Sequence, residues 1–388
     1  MKVVIAPDSF KGTLDAVAVA EALAEGWSRV RPGDDLRLIP FADGGEGTLA
    51  AVLSAAPGAV LHDVPHCTGP DGRPTTGRYA LLPDGTAVVE LATASGLPLM
   101  ARPDPLGATT RGTGQTIAAA LDHGANRLVV GLGGSASTDG GAGLLTALGL
   151  RLSDADGSRL PDGGGHLAHA RYADLRDLRP APPGGVTLLT DVTSPLLGPD
   201  GAAAVYGPQK GATPAQAAHL EQGLARLALL LGGDPHAPGS GAAGGTGYGL
   251  AAVWGARLEP GARALAELLG LDRALAGADL VITGEGCFDR TSLLGKATGE
   301  VARRAALAAV PVAVVAGDTT PDAPHGLLRQ LSTLVELAGS TGEARLRTAY
   351  WLRRAGAGLA GTATEGGLEP RPRTAAPSAD RRPDPAGP

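Results

Sequence analysis

Short polar loops rich in aspartate and glycine follow the first two apolar segments of the sequence. Asp8-Ser9-Phe10-Lys11-Gly12 comes first, and Asp43-Gly44-Gly45-Glu46-Gly47-Thr48 comes second. The lysine offers a positive charge, and the carboxylates could accept hydrogen bonds from hydroxyl groups or bind Mg²⁺. The tandem glycines expose backbone N–H groups to an anion at the start of a helix. Each loop alone is also compatible with a helix cap or a tight turn.

A third loop, residues 131–141, carries the densest set of glycine and hydroxyl side chains. Its sequence, GLGGSASTDGG, lies between a predicted buried strand and a predicted helix. The backbone N–H groups and the hydroxyls of Ser135, Ser137 and Thr138 could cradle a phosphate. No Lys-Ser or Lys-Thr pair closes the loop, so it is not a Walker-type P-loop. Tight packing between strand and helix is the alternative interpretation.

Three further loops contain an acid or a lysine that phosphate chemistry could use. Asp191 ends a predicted strand, where it could act as a general base or a metal ligand. Lys210 is a second loop lysine, in a segment that is otherwise typical of a solvated turn. Glu285 and Asp289 could share a metal with bound phosphates, and Lys296 could neutralise a phosphate. As isolated residues, such acids are more typical of surface caps.

Other sequence features disfavour competing classes of protein. Residues 239–244 match the letters of the dinucleotide fingerprint, but no predicted strand precedes them. The eight histidines form no metal-ligand cluster, and no serine or cysteine lies in a nucleophile-elbow sequence. Hydrolase and zinc-enzyme functions are therefore disfavoured.

Charge and composition limit the partners and the compartment. The net charge is −6 and the arginines are scattered among acids, so we expect no nucleic-acid partner. Cys67 and Cys287 have no pairing or metal-ligand spacing, which indicates a reducing compartment. The first residues lack the apolar core of a signal peptide, and no stretch reaches the ~18 apolar residues of a membrane helix. We expect a cytoplasmic protein with no membrane partner.

Alternating strand and helix patterns position the loops. Apolar runs such as residues 127–132 and 186–190 end in polar, glycine-rich turns that lead into helical patterns. This alternation is typical of an α/β fold with a parallel sheet covered by helices on both faces. Residues 61–64, 78–82 and 86–90 instead alternate apolar and polar side chains, which predicts an antiparallel edge. The carboxyl ends of the parallel strands would gather five of the loops at one edge.

The length of 388 residues allows two or more domains. We predict that residues 1–60 and 280–360, from both ends of the chain, form one α/β domain. Residues 61–279 would be an inserted second α/β domain that carries the antiparallel edge. Residues 361–388 are rich in Pro, Arg, Ala and Asp and are predicted to be a disordered tail, because they cannot bury enough apolar surface.

The loops occur together in an order that resembles the signature blocks of the bacterial glycerate kinase family. The matching blocks are residues 7–12, 42–48, 133–136 with 139–141, 207–212, and 284–286 with Asp289. The resemblance implies two α/β domains, one of them Rossmann-like, with the active site in the cleft between them. It also implies ATP-dependent phosphorylation of D-glycerate, commonly to 2-phosphoglycerate. The sequence departs from the family at Thr138 and Ser194, two positions where the family usually has asparagine.

Phosphoryl transfer needs charge neutralisation, Mg²⁺ ligands and at most one proton acceptor, and the loops supply all three. Glycerate is predicted to contact Asp8, Ser9, Lys11, Asp43, Gly44, Gly45 and Glu46. The ATP phosphates are predicted to contact Gly133, Gly134, Ser135, Thr138, Asp139, Gly140, Lys210 and Lys296. Asp191 is the predicted base, with Lys11 and Lys210 as further catalytic residues, and the predicted Mg²⁺ ligands are Asp191, Glu285 and Asp289.

Three other functions remain compatible with the sequence. The first is a kinase of the same fold that acts on another small hydroxy acid or sugar acid. The second is a non-catalytic protein in which the same loops only bind phosphorylated metabolites. The third is a dinucleotide oxidoreductase built on residues 239–244. The sequence does not distinguish a monomer from a homodimer.

Overall fold

The structure is a computed structural model, and it describes residues 1–293, 295–324, 326 and 328–363. The predicted disordered tail lies outside the described residues from residue 364 onward. The tail was predicted to start at residue 361, but the last helix continues to Thr362 and Ala363 is buried in the same core as Leu359. The prediction is therefore wrong for residues 361–363.

The strands alternate with helices along the chain, as an α/β fold requires. The strands are β1 Lys2–Ile5, β2 Asp35–Leu38, β3 Val60–Thr68, β4 Pro74–Leu81, β5 Thr86–Glu90, β6 Arg127–Gly131, β7 Arg151–Ser153, β8 Tyr172–Asp174, β9 Val186–Leu189, β10 Arg257–Glu259, β11 Leu280–Phe288, β12 Val312–Thr319 and β13 Gln330–Thr333. The α-helices are α1 Ala16–Val30, α2 Thr48–Ala55, α3 Ala92–Ser95, α4 Arg111–Asp122, α5 Ala142–Ala147, α6 Ala202–Tyr206, α7 Pro214–Leu231, α8 Ala242–Trp254, α9 Gly261–Leu268, α10 Leu271–Leu275, α11 Ala297–Leu307, α12 Leu334–Ala338, α13 Thr341–Leu346 and α14 Thr348–Thr362.

A five-stranded parallel sheet is built from both ends of the chain. Its strand order is β13-β12-β11-β1-β2, and every neighbouring pair is parallel. The central strands are almost continuously apolar because helices cover both faces of the sheet. This sheet confirms the predicted α/β class.

A six-stranded mixed sheet is built from the middle of the chain, in the order β10-β9-β6-β5-β4-β3. Strands β5, β6, β9 and β10 run parallel, whereas β3, β4 and β5 form an antiparallel meander at one edge. Exposed side chains alternate with covered ones over residues 61–65 of β3 and 74–79 of β4, as expected for an edge with one solvated face. The predicted antiparallel edge is therefore confirmed.

Three layers of helices enclose the two sheets. Helices α1 and α14 cover the outer face of the five-stranded sheet, and α4, α5, α7 and α8 cover the outer face of the six-stranded sheet. Between the sheets lies a middle core, formed by α2, α9, α10 and α11 with the inner faces of both sheets. Val4 and Val314 of one sheet and Val88 and Val129 of the other belong to this same core. The two halves of the chain thus share one apolar interior.

One predicted loop is instead a strand. The segment around Glu285 was expected to be a loop, but residues 283–288 continue β11 as far as Phe288. The extension pairs with β12, and the backbone of Gly284 approaches Val315 so closely that a Cβ would lie 2.0 Å from its carbonyl oxygen. The glycines here permit close strand pairing, which a composition-based loop prediction does not detect.

No helix in the described part of the chain combines the length and apolar character needed to cross a membrane.

Candidate active site

Two adjoining cavities open at the carboxyl ends of the central strands of both sheets. The β11 cavity, of about 1030 Å³, is lined by the ends of β11 and β12 and by α12 and α13. The β6 cavity, of about 1070 Å³, is lined by the loops 43–47 and 133–135, by Lys210 and by residues 242–244. The wall shared by both cavities consists of Asp8, Ser9, Lys11, Thr13, Asp43, Thr190, Asp191 and Val192.

Three carboxylates from three different strand ends meet on the shared wall. Burial, together with repulsion from Asp43, raises the pKa of the Asp8 carboxyl to about 6. Loss of hydration in the cleft and repulsion from Asp43 also raise the pKa of Asp191 to about 7. The side chain of Lys11 is exposed, and its Nζ lies 3.9 Å from Asp43 Oδ2. Such a cluster is poised to accept a proton or to bind a cation.

The Asp43 loop, residues 43–47, is held against the six-stranded sheet although it follows β2 of the other sheet. The N–H of Gly133 donates a hydrogen bond of 3.3 Å to the carbonyl oxygen of Gly44. A Cβ on Gly133 would lie 2.4 Å from Gly45 Cα, and one on Gly261 would lie 1.9 Å from the Asp43 carbonyl oxygen. Glycine at positions 133 and 261 is therefore what lets the loop approach this closely.

Lys210 is a buried cation at the end of the β6 cavity. Its Nζ donates hydrogen bonds of 2.9 Å to Ser135 Oγ and 2.5 Å to the carbonyl oxygen of Ser137. Burial lowers the pKa of Lys210 to about 8. Among the described residues, no carboxylate forms a salt bridge with it. A buried ammonium with only neutral acceptors is a favourable place for an anionic ligand.

The glycine loop 131–141 divides into a cavity-facing part and a buried part. Gly133, Gly134 and Ser135 line the β6 cavity, whereas Thr138, Asp139 and Gly140 lie behind its wall. The contacts of the Asp139 carboxylate are all inside the fold: Thr110 N–H at 2.9 Å, Thr110 Oγ1 at 2.7 Å, and the N–H groups of Gly141 and Gly143 at 3.2 Å.

The predicted residues of the last loop line the β11 cavity. Glu285 is largely buried, burial raises its pKa, and its Oε1 has no hydrogen-bond partner among the described residues. Asp289 instead accepts from the N–H and Oγ1 of Thr291, and these bonds lower its pKa. Lys296 Nζ donates to the same Thr291 hydroxyl at 2.9 Å. Apolar side chains of Leu334, Val335 and Ala344 form part of the same cavity.

The predicted Mg²⁺ ligands Asp191, Glu285 and Asp289 all line the β11 cavity. In the residues that the structure describes, no three His, Cys, Asp or Glu side chains are arranged as a ready metal cage. Protein-bound Mg²⁺ commonly takes only one or two carboxylates and completes its shell with water and phosphate oxygens. The carboxylates of the shared wall and the unpartnered Glu285 Oε1 therefore fit a Mg²⁺ ion.

The chain matches known proteins over nearly its whole described length. The model of the glycerate kinase family matches residues 3–364. The chain belongs to the glycerate kinase family.

Individual relatives agree with the family match. A glycerate kinase of Bacillus subtilis (strain 168) is 42% identical over 346 residues, covering 84% of this chain and 88% of the relative. A glycerate 2-kinase of Escherichia coli (strain K12) is 40% identical over 363 residues, covering 90% and 94%. The crystal structure of a putative glycerate kinase 2 from Salmonella typhimurium LT2 superposes with a TM-score of 0.83 at 39% identity, covering 94% of this chain and 99% of that one.

The two departures from the family pattern lie off the cavity walls. Thr138 is fully buried behind the glycine loop, and its Oγ1 has no partner among the described residues. Ser194 Oγ is 3.0 Å from Tyr206 Oη. Residues 239–244 lead into α8, and the element before them is helix α7, so the strand of a dinucleotide site is missing from this described segment.

Sequence reasoning missed two residues of the site. Arg345 on α13 lines the β11 cavity, and its Nη2 would be 3.6 Å from a Cβ on Gly12. Glu90 is buried at the end of β5 and accepts hydrogen bonds from the N–H groups of Gly47, the last residue of the Asp43 loop, and Leu49. A charged residue at the end of an otherwise apolar buried strand was the available signal for Glu90. Nothing in the sequence near Arg345 pointed to the cavity.

Proposed function

We propose that this member of the family phosphorylates D-glycerate with ATP and Mg²⁺ and that the product is 2-phosphoglycerate. The observation that carries the proposal is the meeting of Asp8, Asp43 and Asp191 where the two cavities join. A proton acceptor at such a junction can serve a hydroxyl group in one cavity and a phosphoryl group in the other. The printed name of the Escherichia coli relative, glycerate 2-kinase, supports the position of transfer.

Glycerate occupies the β6 cavity in this proposal. Its carboxylate pairs with Lys210 and Ser135, which are already hydrogen-bonded to each other, and no carboxylate of the described residues forms a salt bridge with this lysine. Its hydroxyl groups face Asp8 and Asp43 on the shared wall. Lys210 and Ser135, which were predicted from the sequence to contact the ATP phosphates, are thus proposed to contact the acceptor substrate.

ATP occupies the β11 cavity. Leu334, Val335 and Ala344 offer an apolar surface for the base, and Lys296, Lys11 and Arg345 offer positive charge for the phosphates. Mg²⁺, when bound, would neutralise charge on the phosphoryl group that is transferred. Its ligands would come from Glu285, which has an oxygen without a protein partner, and from Asp289, while Asp191, the third predicted ligand, is assigned instead as the base.

Asp191 is the general base. A pKa of about 7 leaves a large fraction of the carboxylate ionised near neutral pH while keeping it basic enough to take a proton from the attacking hydroxyl. Burial and the neighbouring Asp43 produce this pKa, so the base depends on a residue from the other sheet. We also propose a cytoplasmic enzyme, monomeric or homodimeric, since its free cysteines suit a reducing compartment.

The test is to incubate the protein with ATP, Mg²⁺ and D-glycerate and to identify the product by ³¹P and ¹³C NMR. We expect phosphate on the 2-hydroxyl and one ADP for each product molecule. A parallel panel of L-glycerate, glycolate, lactate and sugar acids measures kcat/KM for each acceptor. Product only from another acid would reject glycerate as the substrate, and ligand binding without ADP release would reject catalysis.

A further inference from the structure

Glu90 occupies a position that is energetically unfavourable for a charged group. It is the last residue of β5, it is 7% exposed, and it lies beside Gly131 of β6 in the parallel register. The preceding residues Ala87, Val88 and Val89 are buried, so the strand end is surrounded by apolar packing. A buried carboxylate is tolerated only when hydrogen bonds compensate for its lost hydration.

The compensating donors all belong to the start of α2. Glu90 Oε1 accepts from the N–H of Gly47 at 3.3 Å, and Oε2 accepts from the N–H of Leu49 at 3.1 Å. The helix has no side-chain cap of its own, because its N-cap residue is Gly47 with φ of 91°. Glu90 therefore supplies, from the other sheet and 43 residues away, the cap that the helix lacks.

This cap fixes one end of the Asp43 loop. The other end is fixed by the hydrogen bond from Gly133 N–H to the Gly44 carbonyl oxygen. Between these two anchors lie Gly45 and Glu46, which line the β6 cavity. Loss of the Glu90 anchor would free the C-terminal part of the loop while leaving the β11 cavity unchanged, since neither Glu90 nor α2 lines it.

We propose that Glu90 is a positioning residue for glycerate binding, acting through the backbone of the Asp43 loop. The proposal rests on the proposed function, because it assigns the β6 cavity to glycerate. A merely structural role for Glu90 predicts a different pattern. The stability of the variant would fall, and the KM values for glycerate and ATP would change equally or not at all.

The experiment compares the wild type with Glu90→Gln, which keeps the shape but places an amide N–H₂ against one of the two N–H donors. We expect the KM for glycerate to rise about tenfold, as for a lost hydrogen bond to a charged group, with the KM for ATP changed less than about twofold. Amide hydrogen exchange should quicken by roughly tenfold in residues 44–52 and stay unchanged elsewhere in the described chain.

The matched control is Glu221→Gln. Glu221 also accepts a backbone N–H, that of Gly198 at 2.7 Å, in the same half of the chain but away from the Asp43 loop. We expect it to lower the melting temperature without separating the two KM values. If Glu90→Gln does not fold, Glu90→Asp takes its place, because the shorter side chain reaches only one of the two N–H groups. We then expect the KM for glycerate and the exchange rates of residues 44–52 to rise about threefold.

Equal changes in both KM values, or unchanged exchange in residues 44–52, would overturn the proposal. The exchange measurement needs no substrate, so it tests the anchor separately from the proposed function. A wild type that makes no phosphoglycerate rejects the proposed function, whereas a wild type that does, with Glu90→Gln behaving like Glu221→Gln, rejects only the role of Glu90.

Discussion

Lys210 and Ser135 lie 75 residues apart in the sequence and are joined by a hydrogen bond of 2.9 Å from Nζ to Oγ. The pair is buried, and the lysine has no salt-bridge partner among the described residues. Its positive charge is therefore held ready for an anion that arrives with a ligand.

Replacing this lysine should reduce catalysis while increasing stability. Lys210→Met keeps the side-chain length and removes the charge, and we expect kcat/KM for glycerate to fall about 100-fold or more. Because burial disfavours the ammonium in the folded state, the variant should melt at a higher temperature than the wild type at pH 7. Steady-state kinetics and calorimetry measure the two effects. The control is Lys2→Met, which removes a half-buried lysine that lines neither cavity. Activity within twofold of the wild type would contradict the assignment of Lys210.

The pH–rate profile should report the coupling between Asp43 and Asp191. We expect kcat/KM of the wild type to rise with pH through about 7, as the Asp191 carboxyl loses its proton. Asp43→Asn removes a neighbouring negative charge, so the rising limb of the remaining activity should move roughly one pH unit lower. The control Asp122→Asn changes the net charge equally at a surface salt bridge with Arg179. A limb that stays near 7 in Asp43→Asn would show that another group titrates.

Asp191→Asn should lower the activity and raise the stability of the folded state. We expect kcat to fall about 100-fold or more, as for the loss of a general base, with substrate binding retained. The folded-state pKa of about 7 lies above the ordinary value of 3.8, so the wild-type carboxyl disfavours the folded state most at pH above 7. The stability advantage of the variant should be largest at pH 8, decrease between pH 7 and 4, and vanish below pH 4. Near-wild-type turnover would show that Asp191 is not the base, and melting curves across this pH range test the stability claim.

Two glycine substitutions should separate the site from the scaffold. A Cβ on Gly133 would lie 2.4 Å from Gly45 Cα, and a Cβ on Gly26 of α1 would lie 2.0 Å from the Arg353 carbonyl oxygen of α14. Both alanine variants should lose about 1–3 kcal/mol of unfolding free energy to overpacking. Only Gly133→Ala should raise the KM for glycerate, by about tenfold or more, because it displaces the Asp43 loop. Equal kinetics in the two variants would argue against a role for this loop in binding.

The sequence predicted the features that local patterns encode. The period-two alternation of β3 and β4 identified the antiparallel edge, and the polar turns after β1, β2, β6 and β9 identified most of the cavity lining. These predictions depend on strand alternation and on the rule that parallel strands gather their carboxyl ends.

Features set by distant contacts were not predictable. The loop sequence around Lys210 is typical of a solvated turn, yet the lysine is buried because Ser135 and Ser137 face it from another segment. Asp139 lies in a glycine loop typical of ligand binding, but its carboxylate organises Thr110 inside the fold. The role of Glu90 depends on a helix that lacks its own cap.

The middle core has a consequence for the construction of chimeric enzymes. Exchanging only the segment 61–279 with that of a relative would place foreign Val88 and Val129 against native α2 and α11. A mismatch of even a methylene group in a close-packed interior is destabilising. Transplantation of the β6 cavity should therefore include the helices between the sheets, and the graft junctions belong in the five-stranded sheet and its helices rather than at residues 61 and 279.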